Sequence, residues 1–232
     1  MNLVFDIGYN HGKFSSACLL CYPNCKIVAA EANPSLASVE PISSNITVLN
    51  TLVSSKGGEQ IPFFISPEDG ISTASLNFIS NSRFARGSSH IHQKSQWYHP
   101  ISIPSVTLDD LISKYGMPDF LKVDVEGYEK EVLSGLSQPV SLLAFEWHEE
   151  DYLGMCENID HLKSLGFSEF SVIGHFEDHI PPFVNSSIAA DDYMNFPVDF
   201  YTWSLLKKSL DSVIDPSRRV NYGMVYCKAN LN

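Results

Sequence analysis

Four short apolar runs in this chain stop at an acidic residue: LVFDIG at 3–8, KIVAAE at 26–31, DFLKVDVEG at 119–127 and SLLAFEW at 141–147. A run that is apolar at consecutive rather than alternate positions is a strand buried on both faces, and parallel sheets covered by helices bury strands in that way. Helical segments separate the runs. Phe14, Ala17, Cys18 and Cys21 recur at spacings of three and four between Lys13 and Tyr22, before Pro23-Asn24 stops them. Asn33-Pro34 opens a short helix, ITVLNTLV at 46–53 reads as a third strand, and Lys56-Gly57-Gly58 turns the chain into IPFFIS. Further helices are predicted from Leu108 to Lys114, after Gly127 through Leu136, and from Ile159 to Leu165. FSEFSVIG at 167–174 and YGMVYCKA at 222–229 are two closing strands. The alternation predicts right-handed crossovers and an α/β sheet with helices on both faces.

Residues 1–232 are read as a single domain, with a core at about 3–174 and 220–230. A chain of this length buries roughly 70% of its unfolded surface, so it needs no disulfide or structural metal. Two stretches break the pattern: a polar loop at 68–104 and an aromatic-rich cap insertion at 175–219 carrying Phe183, Tyr193, Phe196, Phe200, Tyr201 and Trp203. With 15 basic and 27 acidic side chains the net charge is −12, which argues against nucleic acid or an anionic membrane as partner. No apolar run reaches the length of a membrane span, and MNLVFDIGYNHG lacks the basic region of a signal peptide. Five cysteines then read as reduced thiols in a cytoplasmic setting. The Cys18, Cys21 and Cys25 spacing lacks a fourth ligand for zinc and is read as packing. The sequons at Asn45 and Asn185 are read as chance, and His90, His92 and His99 as loop residues. A first strand starting almost at residue 1 is expected of a domain cut from a longer protein.

In an open α/β sheet, ligands bind beyond the carboxyl ends of the strands, so the acids that end the strands converge on one site. Gly8 allows a tight turn, and Gly12 opens a helix whose N–H groups can face a carboxylate. Glu31, nineteen residues after Gly12, can receive two ribose hydroxyls. The glycine pattern is D-x-G-x-x-x-G. A dinucleotide site needs G-x-G-x-x-G to clear a pyrophosphate, and no G-x-x-x-x-G-K-[ST] phosphate loop is present. The spacing suits a nucleoside without a pyrophosphate, for which S-adenosyl-L-methionine is the candidate. The alternative is that Asp6 and the glycines only shape a turn.

DIGYNHGKFS, AAEANPS, LNTLVSSKGG, TLDDLI and FLKVDVEGYEKEVLSGL, in that order over about residues 3–170, resemble the FkbM-type methyltransferases, most specifically in LKVDVEGYE. The resemblance implies a class I methyltransferase fold, Rossmann-like with a seven-stranded, mostly parallel sheet. It also implies S-adenosyl-L-methionine as methyl donor and a hydroxyl of a natural product or sugar as acceptor. Some members are joined to glycosyltransferase domains. By position, Asp6, Gly8, Tyr9, Asn10, His11 and Gly12 are expected around the methionine part, and Glu31, Ala32 and Asn33 at the ribose. Asn50 to Val53, with Thr51, Leu52 and Val53 as the named contacts, are expected to flank the adenine, and Ser72 to Leu76, STASL, with Ser75 as the named contact, to close over the cofactor. Tyr9 stands where a small residue is commoner in the family, and the region after 170 matches no pattern of it.

Methyl transfer to an alcohol needs an in-line approach and a base for the departing proton. Asp124, Glu126, Glu146 and His148 are the candidates. His148 leads because an imidazole ordinarily titrates near neutrality. Asp124 and Glu146 could orient it, hold sugar hydroxyls, or bind Mg²⁺ or Mn²⁺; the metal-free arrangement is preferred. Lys122 lies on the same strand face as Asp124, as a catalytic residue or as an ion-pair partner. Trp97, Tyr98 and the insertion aromatics are either packing or a platform for a sugar. The favoured function is O-methylation of a carbohydrate, with a deoxyhexose such as rhamnose in a glycan as the specific expectation. The rivals are a nicotinamide-dependent oxidoreductase and a non-catalytic interaction module of the same fold.

Overall fold

In the computed structural model, residues 1–68, 70–86, 94–176, 180–186, 199–218 and 221–230 are described. The first alternation runs through β1 (Leu3–Ile7), α1 (Lys13–Cys21), β2 (Lys26–Glu31), α2 (Pro34–Ala37) and β3 (Ile46–Asn50). A second group follows: β4 (Leu52–Val53), β5 (Gln60–Phe63), α3 (Leu76–Asn81), α4 (Arg83–Arg86) and β6 (Ile101–Val106). The remainder comprises α5 (Leu108–Tyr115), β7 (Phe120–Val123), α6 (Glu129–Leu133), β8 (Leu142–His148), a 3₁₀ turn at Glu149–Asp151, α7 (Tyr152–Leu165), β9 (Phe167–His175), β10 (Asn185–Ser186), α8 (Trp203–Leu210) and β11 (Tyr222–Ala229).

Seven of these strands form the main sheet in the order β3-β2-β1-β7-β8-β11-β9, and the two-residue β10 extends it beyond β9. All neighbours are parallel except β11, which runs antiparallel to both β8 and β9. The expected seven-stranded, mostly parallel α/β sheet is thus present. The order reverses at β1, which pairs with β2 on one side and β7 on the other. A ligand crevice belongs at such a switch point.

The pleat of β1 sends Phe5 and Ile7 into the larger core, with Leu121, Val123, Leu143 and Phe145 from the neighbouring strands and α5 to α8 above them. Val4 faces the other way, into a smaller cluster with Phe14 and Cys18 of α1, Ile27 and Phe120. Helices therefore cover both faces, unequally. Helix α5 is set by a capping box in which Thr107 and Asp110 bond each other's backbone N–H groups, and it ends at Gly116. Among the described residues no helix is long and apolar enough to cross a membrane.

Three expectations change. The run ITVLNTLV breaks at Thr51: its first half is β3 in the main sheet, while Leu52–Val53 pairs with β6 in a three-stranded sheet ordered β4-β6-β5. The Thr51 hydroxyl donates to Pro104 O at 2.7 Å and fixes that break. The 68–104 stretch is not all loop, because α3, α4 and most of β6 lie in it. The 175–219 segment, where described, does not stand apart as a cap. Helix α8 buries Trp203, Leu206 and Leu210 in the larger core, and Tyr201 bridges the Phe170 backbone. The tryptophan ring lies 6.3 Å from the Phe170 ring, so packing accounts for it. Tyr193, Phe196, His90 and His92 lie outside the described residues, as does the end of the Asn185 sequon.

Candidate functional site

The turn after β1 is shaped by two glycines. Gly8 has φ 85°, and a Cβ there would come within 1.8 Å of Asp124 O, so only glycine lets the two strand ends approach. Gly12 has φ 70°, and its missing side chain leaves room for the Tyr9 ring, whose hydroxyl would lie 2.4 Å from a Cβ. Tyr9 is therefore accommodated by Gly12. Gly8 N and Tyr9 N both donate to Ala30 O, at 3.0 and 3.2 Å, which ties the turn to β2.

Glu31 ends β2 with its carboxylate buried and shared between two turns. Asn10 N donates to Oε2 and Asn33 N to Oε1, each at 2.7 Å. Burial raises its carboxyl above the ordinary value, against the lowering effect of those two N–H groups. Asn33 also caps α2 by accepting from Ser35 N at 3.1 Å. Asn50 Nδ2 donates to Glu31 O and Ala32 O.

These turns wall a cavity of about 470 Å³. Gly8, Tyr9, Asn10, His11, Glu31, Ala32, Thr51, Leu52 and Val53, all singled out from the sequence, line it. Asp124, Glu126 and Lys122 reach it from β7 and the loop beyond. Asp6, Gly12, Asn33 and Ser75 are not on its wall. Asp6 is wholly buried behind it, accepting from the Ser15 hydroxyl at 2.6 Å. Gly12 makes room for Tyr9, Asn33 caps a helix, and Ser75 caps α3 by accepting from Phe78 N at 3.1 Å. Ser72 and Ala74 of the STASL segment line it too, while Leu36, Phe63, Ile71 and Tyr128 line it without having been anticipated. Phe63 belongs to the small sheet and Ile71 to the polar stretch, neither of which has a clear periodic signal.

Lys122 joins the two central strand ends. Its Nζ donates to Gly8 O at 2.8 Å and lies 3.2 Å from Asp6 Oδ1 and 3.4 Å from Asp124 Oδ2. Burial alone would depress this ammonium, but Asp124 and Asp6 hold it above its ordinary value. This is the ion-pair arrangement of the two that the sequence allows.

Beyond β7 and β8 lies a second cavity of about 270 Å³. Glu146, His148 and Glu129 line it with Asn77, Asn81, Glu150, Asp151 and Asn158, and Phe78 and Trp147 give it apolar faces. His148 Nε2 is 3.0 Å from Glu146 Oε2 and 3.9 Å from Glu126 Oε2. Burial, then the charges of Glu146 and Asp124, pushes the Glu126 carboxyl well above the usual carboxylate range. Burial and the charge of Asp124 do the same to Glu146. Glu129 is raised to about 7, chiefly by burial, and its Oε1 accepts from Val125 N and Gly127 N.

One ligand atom from each of Glu126, Glu146 and His148 lies within 4.8 Å of the others, a spacing a metal ion could bridge. The hydrogen bonding opposes it. Arg83 Nη2 lies 2.8 Å from His148 Nδ1, and a guanidinium only donates, so Nδ1 presents its lone pair there and the ring proton is on Nε2. Nε2 then offers the carboxylates a hydrogen, where a metal needs a lone pair. Asp124, anticipated as a metal partner of Glu146, is engaged with Lys122. The five cysteines are free and form no metal-ligand group among the described residues. Arg83 has no sequence signal: it is 65 positions from His148, in a stretch without strong periodicity.

Trp97 and Tyr98 do not form a platform together. The Trp97 indole donates to Ile71 O at 2.8 Å and meets Phe78 edge-on, while Tyr98 is exposed.

No curated protein sequence matches the chain. Among solved structures, the precorrin-6y C5,15-methyltransferase from Geobacter metallireducens GS-15 aligns over 99% of this chain and 80% of its own, at 8% identity and a TM-score of 0.44. Residues 6–168 match the methyltransferase FkbM domain, a span that takes in the β1 turn, Glu31 and the strand ends of β7 and β8. The chain belongs to the FkbM methyltransferase family.

Proposed function

We propose that the chain is an S-adenosylmethionine-dependent O-methyltransferase acting on a hydroxyl of a carbohydrate, with a deoxyhexose such as rhamnose in a glycan as the specific acceptor. The observation that carries this reading is a pair of unlike cavities lined by alternate parts of the segment beyond β7: Asp124, Val125, Glu126 and Tyr128 on the larger, Gly127 and Glu129 on the smaller. The larger suits the methyl donor. Leu36, Leu52, Val53 and Phe63 offer a base apolar surface, and Glu31 keeps lone pairs for ribose hydroxyls. Asn10 Oδ1 is buried without a hydrogen-bond partner, an acceptor that the amino group of the methionine part would satisfy. When bound, S-adenosylmethionine supplies a methyl group whose bond to sulfur breaks as the bond to oxygen forms, the electron pair staying on sulfur. The smaller cavity, lined by asparagines and carboxylates with aromatic faces, suits a polyhydroxy compound.

The nicotinamide reading is disfavoured by the missing G-x-G-x-x-G. Calorimetry separates the two. S-adenosylhomocysteine is expected to bind with micromolar affinity and NAD not at all; the reverse result would sink the proposal. Turnover of S-adenosylmethionine with a panel of glycosides, rhamnosides included, tests the acceptor. Failure across the panel with intact cofactor binding would favour a non-catalytic module.

A further inference from the structure

If the site methylates a hydroxyl, a proton acceptor must stand beside the acceptor oxygen, and the role assigned to Glu126 rests on that reading. His148 has the residue type expected of such a base, but its surroundings commit both ring nitrogens. Arg83 is held from several directions: its N and Nε lie 2.9 and 3.3 Å from Glu150 Oε1, and its Nη2 lies 3.3 Å from Glu150 Oε2 and from Asn221 O. Asn221 is fixed in turn, donating through N and Nδ2 to the buried Glu149. The guanidinium lies 4.7 Å from the centre of the Tyr222 ring. From this mount Nη2 donates to His148 Nδ1, which must accept. The ring proton is therefore on Nε2, directed at Glu146 Oε2 3.0 Å away. A second ring proton would have to enter at Nδ1, facing a fixed cation. His148 is thus a donor to Glu146.

Among those carboxylates the two glutamates differ in placement. Glu146 lines the smaller cavity and is engaged by His148. Glu126 lines the larger cavity, and its carboxylate accepts no hydrogen bond among the described residues. Its backbone is left-handed, φ 56°, a conformation that costs a non-glycine residue energy and recurs at functional positions. Glu126 Oε2 lies 3.9 Å from Nε2 of His148, which lines the smaller cavity, so an acceptor oxygen held there would have Glu126 close by.

We propose that Glu126 takes the proton of the acceptor hydroxyl, and that Arg83 and His148 are positioning residues that hold the facing carboxylate of Glu146 through a fixed Nε2–H donor. The proton passes from the acceptor oxygen to a Glu126 oxygen as the oxygen–methyl bond forms. The positive charge of the donor and the negative charge of Glu126 disappear together, so the buried site is left with no new charge. Glu126 is flanked by Glu146, Asp124 and Glu129, with His148 opposite, Lys122 paired to Asp124 and Arg83 behind His148. Crowding by these carboxyl groups strengthens Glu126 as a base.

Two measurements test the assignment. Long-range proton–nitrogen NMR of histidine-labelled protein should show His148 with a bare Nδ1 and a protonated Nε2. Arg83→Met should abolish that preference. A protonated Nδ1 in the wild type would overturn the positioning role. With methyl α-L-rhamnoside as probe, kcat should rise with pH to a plateau. Glu126→Gln should lower it by about 10²–10⁴-fold and remove the pH-dependent limb, with S-adenosylhomocysteine affinity within about threefold. His148→Gln, which keeps a donor, should retain the limb. A limb lost with His148→Gln and kept with Glu126→Gln would return the base to the imidazole. If the rhamnoside is not methylated at all, the acceptor reading has failed, and carboxyl-carbon NMR of labelled glutamate decides the base. Glu126 titrating in the ordinary carboxylate range would then overturn its assignment.

Discussion

The two cavities are built by different means. The larger is assembled from three consecutive strand-end turns, and its contacts are short-range in structure: Gly8 and Tyr9 bond β2, while Asn10 and Asn33 share Glu31. The smaller is assembled from side chains brought together over long sequence separations, with Arg83 on His148 and Asn221 on Glu149. The first is lined by residues between Ile7 and Tyr128, and the second by residues that reach as far as Pro216, just before the last strand. The larger cavity should therefore tolerate damage to the C-terminal strands better than the smaller.

The largest expected effect falls on the buried cation in the wall of the larger cavity. Lys122→Met removes the cation between Asp6 and Asp124, leaving Asp6 charged and buried, and should cost about 3–5 kcal/mol of stability by denaturant titration. A loss under about 1 kcal/mol would mean that Asp6 is neutral in the fold.

Glu129→Gln probes the smaller cavity alone. The folded state holds the carboxyl near 7, so between the ordinary carboxylate value and about 7 it keeps a proton the unfolded chain has lost. Wild-type stability from this group falls as pH rises through that window and stays low above it. The glutamine, still able to accept from Val125 and Gly127, should gain about 1–3 kcal/mol relative to wild type between about pH 4.5 and 8. Parallel stability curves would contradict the raised carboxyl.

Glu31→Ala probes the larger cavity alone. It removes the proposed ribose acceptor and unties the Asn10 and Asn33 turns, so S-adenosylhomocysteine should bind at least about tenfold more weakly, roughly 1.4 kcal/mol. Calorimetry at unchanged affinity would exclude Glu31 from the ribose site. The smallest effect is expected from chelation: exhaustive EDTA treatment should leave turnover intact, because His148 offers the carboxylates a hydrogen rather than a lone pair. Activity lost to EDTA and restored by Mg²⁺ or Mn²⁺ would mean that the imidazole changes tautomer.

The same contrast sets what could be read from sequence. KIVAAE and YGMVYCKA coincide with β2 and β11 because doubly buried strands are continuous apolar runs. Gly8 and Glu31 were legible because a turn needing positive φ and an acid at a strand end leave local marks. The break at Thr51 was hidden, since both halves of ITVLNTLV are strand-like and only a hydrogen bond to Pro104 separates them. Strand β6 was hidden by its own Pro104, a residue seldom found in the middle strand of a sheet. Arg83 carried no mark, because its meaning lies in where His148 ends up.

Strand β11 is the last in chain order, yet it occupies an interior slot between β8 and β9. During synthesis those two strands emerge first and must wait, side by side but unjoined, for a partner that arrives after α8. Until it does, each offers an unsatisfied edge to any extended segment nearby, which is where misassembly would start. Glu149, at the end of β8, bonds the backbone and side chain of Asn221 just before β11 begins, and so acts as the latch that registers the late strand. Pulse-labelled hydrogen exchange during refolding should show β9 amides gaining protection only together with those of β11.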